Sequence, residues 1–176
     1  MLESSVLLAA LALAAANPPP PQPMSVEIVR DPITDAVSAR ADLYDSGRRL
    51  TIACDRADYG GIRVTFSTGR WMAGDSFFTG ERPLIFRFDA QRPRRWIWIM
   101  RDRGARLSGR RRVTFFLSGL ISSELLVFRT RDIENHRLDL SFRIAGAYPA
   151  IAQLLDACGE SRMKAALYGP PAAPPV

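Results

Sequence analysis

Between Val26 and Ile144 apolar and polar residues alternate in short bursts, separated by turns rich in Gly, Pro and Asp. The strongest burst runs from Arg82 to Arg101. Leu84, Phe86 and Phe88 alternate with Ile85, Arg87 and Asp89, and Trp96, Trp98 and Met100 alternate with Ile97 and Ile99. Period-2 patterning in β-branched and aromatic residues marks strands with one face in a core. The polar stretch from Ala90 to Arg94, which contains Pro93, joins the two as a hairpin. Upstream, the same pattern predicts strands over Val26–Val29, Val37–Leu43, Leu50–Cys54 and Ile62–Phe66, in antiparallel succession. Downstream, Asp102 to Arg106 reads as a turn. Val113, Phe116, Leu117 and Leu120 recur at helical spacing and predict a short helix. Strands follow over Leu125–Arg129 and Leu138–Ile144. A last helix opens at Pro149, carries Ile151, Leu154, Leu155 and Cys158 on one face, and stops at Gly159. The expected architecture is mainly β: an antiparallel β-sandwich or partly open barrel of about eight strands, with a short helix and a C-terminal helix. In the loop from Thr68 to Arg82, Trp71, Phe77 and Phe78 are expected to close one end of the core, or else to be exposed for binding.

The ends have a different composition. Residues 1–16 are apolar from Val6 onward and finish in Ala14-Ala15-Ala16, as in a secretory signal peptide. The only acidic residue there is Glu3, and no Lys or Arg precedes the apolar run; an uncleaved N-terminal anchor is the alternative. Residues 17–24 form a proline-rich linker, since proline fixes φ and lacks an N–H. Residues 25–159 are expected to be a single β-rich domain, and residues 160–176 a disordered tail rich in Pro and Ala. The remaining apolar runs fall short of the roughly 18 residues of a membrane span. The cleaved protein is expected not to be an integral membrane protein.

Composition is ordinary for a globular domain, with 24% charged and 47% apolar residues. The charge is less ordinary. The net +6 comes from arginine, because Lys164 is the one lysine among 24 basic residues. A GC-rich genome produces such a bias unaided; an anionic partner would select it, since the guanidinium fork binds phosphate and carboxylate bidentately. The densest run lies between Arg92 and Arg112. Arg92, Arg94, Arg95, Arg110, Arg111 and Arg112 are the anion-binding candidates, for an anionic envelope polymer or lipid. A solvated rim is the competing reading. Nucleic acid is not expected as a partner, given the leader and the lack of an aromatic stacking motif.

Chemistry-bearing motifs are scarce. Phosphate loops, dinucleotide fingerprints and nucleophile elbows are missing. His136 is the only histidine, too few ligands for a metal site and no base without a placed partner. No catalytic residue, metal or cofactor is therefore expected. Asp31 and Asp35 are spaced as turn-capping carboxylates around Pro32. Cys54 and Cys158 are the only cysteines. In an exported protein such a pair reads as a disulfide, here closing a loop of about a hundred residues; two buried thiols are the alternative.

The run from Asp31 to Asp35, the strand pair ending at Cys54, Phe86-Arg87-Phe88-Asp89 followed by Trp96, and Leu125 to Thr130 leading through Gly146 to Leu154-Leu155-Asp156-Ala157-Cys158 together resemble the VasI/TagO-type periplasmic accessory proteins of bacterial type VI secretion. The resemblance covers roughly Val26 to Cys158. It implies a periplasmic β-sandwich with its two cysteines bonded, partners in the envelope or secretion apparatus, and no enzymatic activity. The expected function is a non-enzymatic exported accessory or binding protein; the alternatives are a cell-envelope hydrolase with an unrecognised site, or an anionic-polymer-binding module using the patch from Arg92 to Arg112.

Overall fold

A computed structural model describes residues 20–55, 61–72 and 80–169 of the chain. The expected leader, Phe77, Phe78 and the last residues of the expected tail lie outside the described residues. The strands are β1 (Ser25–Arg30), β2 (Val37–Asp45), β3 (Arg48–Asp55), β4 (Ile62–Ser67), β5 (Glu81–Phe88), β6 (Arg94–Arg101), β7 (Gly104–Leu107), β8 (Leu125–Arg131) and β9 (Arg137–Arg143). The helices are α1 (Arg110–Ile121), α2 (Ala147–Ala157) and α3 (Ser161–Tyr168). Among the described residues, nine strands join one antiparallel sheet in the order β1-β2-β3-β4-β7-β6-β5-β8-β9, which is not closed into a barrel. The mainly β antiparallel architecture expected from the sequence is thus present, with one open sheet covered on its inner face by helices.

The central hairpin forms with Leu84 opposite Trp96 and Phe86 opposite Arg94. This register puts Leu84, Phe86, Phe88, Trp98 and Met100 in the core. α1 buries Val113, Phe116, Leu117 and Leu120, the stripe that its spacing indicated. Phe116 lies 5.4 Å from Phe86, 5.6 Å from Trp98 and 6.0 Å from Phe128, between ring centroids. Edge-to-face and offset contacts of this kind stabilise beyond area burial alone. Gly119 lets α1 approach the sheet closely, because a Cβ there would collide with the ring of Phe88.

Three expectations need correction. Asp102 to Arg106 is not all turn: β7 begins at Gly104 and fills the place between β4 and β6. Gly104 is packed so tightly on the carbonyl of Phe66 that a side chain would collide with it, and that tertiary contact leaves little periodicity over four residues. The segment from Glu160 is not simply tail, because α3 occupies Ser161–Tyr168 and buries Met163 against the core. The domain also starts one residue early. Met24, assigned to the linker, is buried, and its N–H donates to the Ala145 carbonyl at 2.8 Å. In the β4–β5 loop it is Met72 that is fully buried, whereas Trp71 is 48% exposed.

Two long-range links hold the sheet to its helices and one end to the other. Cys54 of β3 and Cys158 at the end of α2 form a disulfide across 104 residues, with Cα atoms 6.2 Å apart. Asp45, buried at the end of β2, accepts the Arg143 backbone N–H at 2.7 Å and its Nε at 3.3 Å. Burial pushes the Asp45 carboxyl up, but the hydrogen bonds from Arg143 and Ser46 outweigh this and hold it below the ordinary aspartate value.

The bond predicts a native mass two hydrogens below that of the reduced chain. Cys54→Ser and Cys158→Ser should each cost about 2–5 kcal/mol, with the double variant little worse than either single. Equal thermal unfolding of wild type and double variant would contradict this. For Asp45, a depressed folded-state value means stabilisation fully present above the unfolded pKa of about 3.9 and lost as pH falls through the lowered value. Asp45→Asn should therefore lower the melting temperature at neutral pH and flatten the decline below about pH 4, as read by thermal unfolding across acid pH.

Candidate functional site

The outer face of the sheet carries the residues of each strand that point away from α1. On β5 these are Glu81, Pro83, Ile85 and Arg87; on β6, Arg95, Ile97 and Ile99; on β8, Val127, Arg129 and Arg131; on β9, Arg137 and Asp139. Pro83 decides the local geometry. The Gly80 carbonyl accepts the Met100 N–H at 2.7 Å, so even-numbered residues of β5 turn their backbone groups to β6 and odd-numbered ones to β8. Pro83 thus lacks its N–H on the β8 side. There the β5–β8 ladder stops at Ile85 and Arg129, although β8 continues to pair with β9 as far as Arg131. A proline in an otherwise central strand is tolerated where a ladder ends.

The parting strands open a cleft of about 410 Å³, lined by Arg82, Arg95, Arg129, Arg131 and Arg137 around an apolar floor of Pro83 and Ile85. A hollow of about 230 Å³ shares Ile85 and Arg129 with it and runs on to Arg87 and Pro93. Together they make a trough along β5 that spans roughly 13 Å from Pro83 to Arg87, at the usual strand rise. It suits an extended ligand better than a compact one.

Charge balance in the trough is one-sided. Asp139 faces two arginines: Arg129 Nε donates to its Oδ1 at 2.7 Å and Arg137 Nη2 to its Oδ2 at 2.6 Å. Those two hydrogen bonds, Arg129's first, hold the Asp139 carboxyl well below the usual carboxylate range. Arg131 Nη1 donates to the Asn135 carbonyl, a neutral acceptor, at 2.7 Å, and among the contacts of Arg82 is one from Nη1 to the Asp132 carbonyl at 3.4 Å. Arg87 and Arg95 have no ion-pair partner among the described residues. Arg87, Arg95, Arg129, Arg131 and Arg137 are exposed and pre-positioned by the strands, with fork donors left for an anion, whereas Arg82 is half-buried.

Of the six arginines singled out in the sequence, Arg95 enters this trough. Arg94, its neighbour, points to the opposite face and stacks 4.2 Å above the ring of Phe115. Arg92 is exposed in the hairpin turn. Arg110, Arg111 and Arg112 form the first turn of α1, where Arg110 pairs with Glu160 at 2.8 Å and Arg112 donates to the Ile97 carbonyl at 3.2 Å. Arg87, Arg129, Arg131 and Arg137 were missed, because they are scattered along the sequence and only strand parity with antiparallel register unites them; Arg82, of inner-face parity opposite Trp98, was missed too and lines only the end of the cleft. Parity was readable within each strand; the strand order was not.

The remaining candidates have local roles. Asp31 Oδ1 accepts the N–H groups of Ile33 and Thr34 at 2.7 and 2.8 Å, so it builds the turn, and those bonds lower its carboxyl pKa. Asp35 meets Arg30 at 3.5 Å in the same exposed loop. Asp132, Glu134 and His136 do cluster, with ligand atoms within 4.8 Å of one another. Asp132 is buried, its oxygens engaged by the His136 N–H at 2.8 Å and by Arg70 at 3.4 Å. Burial raises the Asp132 carboxyl, but His136 and backbone donors outweigh it and lower it. This group pins the β8–β9 loop beside the trough.

Fold and site define an open, helix-backed antiparallel sheet with a cationic trough on its outer face. No protein-family model, no curated protein and no solved structure matches the chain. Among the described residues no helix is long and apolar enough to cross a membrane.

Asp139→Asn should strengthen retention on phosphocellulose, shifting elution to higher salt, because it removes the charge that occupies Arg129 and Arg137. Unchanged or earlier elution would mean that these arginines do not contribute to anion binding.

Proposed function

We propose that the protein is a non-enzymatic, exported binding protein that holds an extended phosphate- or carboxylate-bearing ligand of the cell envelope in the trough along β5. The carrying observation is the run of arginines from Arg131 and Arg137 through Arg95 and Arg129 to Arg87, opened to solvent where Pro83 parts β5 from β8. Guanidinium groups stay protonated at any physiological pH, so they bind and orient anions and do not relay protons. That chemistry supports capture over catalysis. Export is supported by the leader-like residues 1–16 and by the Cys54–Cys158 disulfide, which persists in oxidising compartments. An accessory role beside a secretion apparatus, with periplasmic location, extends the resemblance drawn from the sequence.

Binding of long-chain polyphosphate, followed by calorimetry over a salt series, tests this. Counterion release predicts affinity falling linearly in logarithmic terms, by about 0.9 per phosphate contacted. The combined variant Arg95→Gln, Arg129→Gln and Arg131→Gln should reduce that slope by about three while unfolding near the wild-type temperature. Arg110→Gln, Arg111→Gln and Arg112→Gln, on α1, should change it less. No binding by the wild type, or equal slopes in both triple variants, would overturn the assignment of the trough.

A further inference from the structure

The trough does not end in water on all sides. At its β8 end Arg82 touches the carbonyl of Asp132, and Asn135 of the same loop lines the cleft. That loop in turn meets the β4–β5 connection: the Ile133 N–H donates to the Trp71 carbonyl at 3.3 Å, and Arg70 pairs with Asp132. Trp71 and Ile133 are therefore neighbours at one tip, 48% and 43% exposed. Ile85 and Ile97 are exposed as well, on the outer sheet face, each set among arginines or beside Pro83.

We infer that this face docks on an anionic lipid surface, with the trough arginines on headgroup phosphates and the Trp71–Ile133 tip entering the interfacial layer; the inference rests on the anion-binding reading of the trough. A soluble polyanion would gain little from exposed isoleucines. A protein partner would require a larger contiguous apolar core, whereas here the apolar patch is confined to Pro83, Ile85 and Ile97 and is rimmed by guanidinium groups. An anionic bilayer interface complements both sets at once: phosphates for the arginines, acyl boundary for tryptophan and isoleucine. The built tip of Asp132, His136 and Arg70 holds Trp71 and Ile133 side by side, so little order has to be gained on docking.

The test uses the full chain with vesicles of mixed phosphatidylglycerol and phosphatidylcholine, pure phosphatidylcholine vesicles, and soluble polyphosphate. Wild type should float with the anionic vesicles and not with the neutral ones. Tryptophan fluorescence should be quenched by brominated lipid, and Trp71→Phe should remove most of that quenching, since the other two tryptophans, Trp96 and Trp98, lie on the inner face of the sheet, half-buried and buried. Trp71→Ser with Ile133→Ser should weaken vesicle binding roughly tenfold and leave polyphosphate binding unchanged. Polyphosphate binding without vesicle binding, equal flotation with neutral vesicles, or an unaffected double variant would overturn the lipid inference and leave the trough reading intact. Failure of wild type to bind either probe would overturn both.

Discussion

Everything in this fold depends on seating α1 in the hollow of the sheet. Phe116 meets Phe86, Phe88, Trp98 and Phe128 from one side of the helix, and Gly119 lets Phe88 lie against the helix backbone. Aromatic rings of this size bury large apolar areas, and the interior leaves no slack for a second arrangement. The sheet has to bend around the helix, and bending brings the end of β2 close to β9. Asp45 and Arg143 then meet although they lie 98 residues apart. The ion pair is thus a product of the curvature and a clasp on it.

The same packing decides what the outer face can be. With the inner face filled by α1 and α2, alternate residues of each strand are left to solvent, and in this chain many of those are arginines. An ordinary sheet would present them as a flat field. Pro83 changes that by ending the β5–β8 ladder at Ile85 and Arg129. The cost is a few ladder bonds; the gain is a cleft with guanidinium groups on both walls. Asp139 keeps Arg129 and Arg137 apart from random rotamers and fixes their forks toward the trough.

The cationic field is not uniform around the molecule. Arg110 to Arg112 sit at the N-terminus of α1, where the helix dipole disfavours positive charge. Glu160, at the start of α3, offsets part of this by pairing with Arg110, and Arg112 donates to the Ile97 carbonyl of β6. Arg110 and Arg112 therefore serve the seam between helices and sheet, a structural task that a linear count of charges does not separate from binding. The trough arginines, by contrast, are held by strand geometry on the open face.

By itself the sequence determined what is local: the strands and α1 through their periodicity, the stop of α2 at Gly159, the turn built by Asp31. It placed Cys54 and Cys158 on apolar faces, which two buried thiols would also occupy; the fold brings them together as a bond. Tertiary structure decided the rest. β7 exists because Gly104 packs against Phe66 and fills the space between β4 and β6, and four residues carry too little pattern to announce that. α3 forms because Met163 finds the core, in a segment whose composition alone argues for a tail. The trough arises from strand order, which brings Arg95, Arg129 and Arg137 together from three separate strands. Alternation tells which face a residue takes; only pairing, fixed by the packing of the whole core, tells which residues share it.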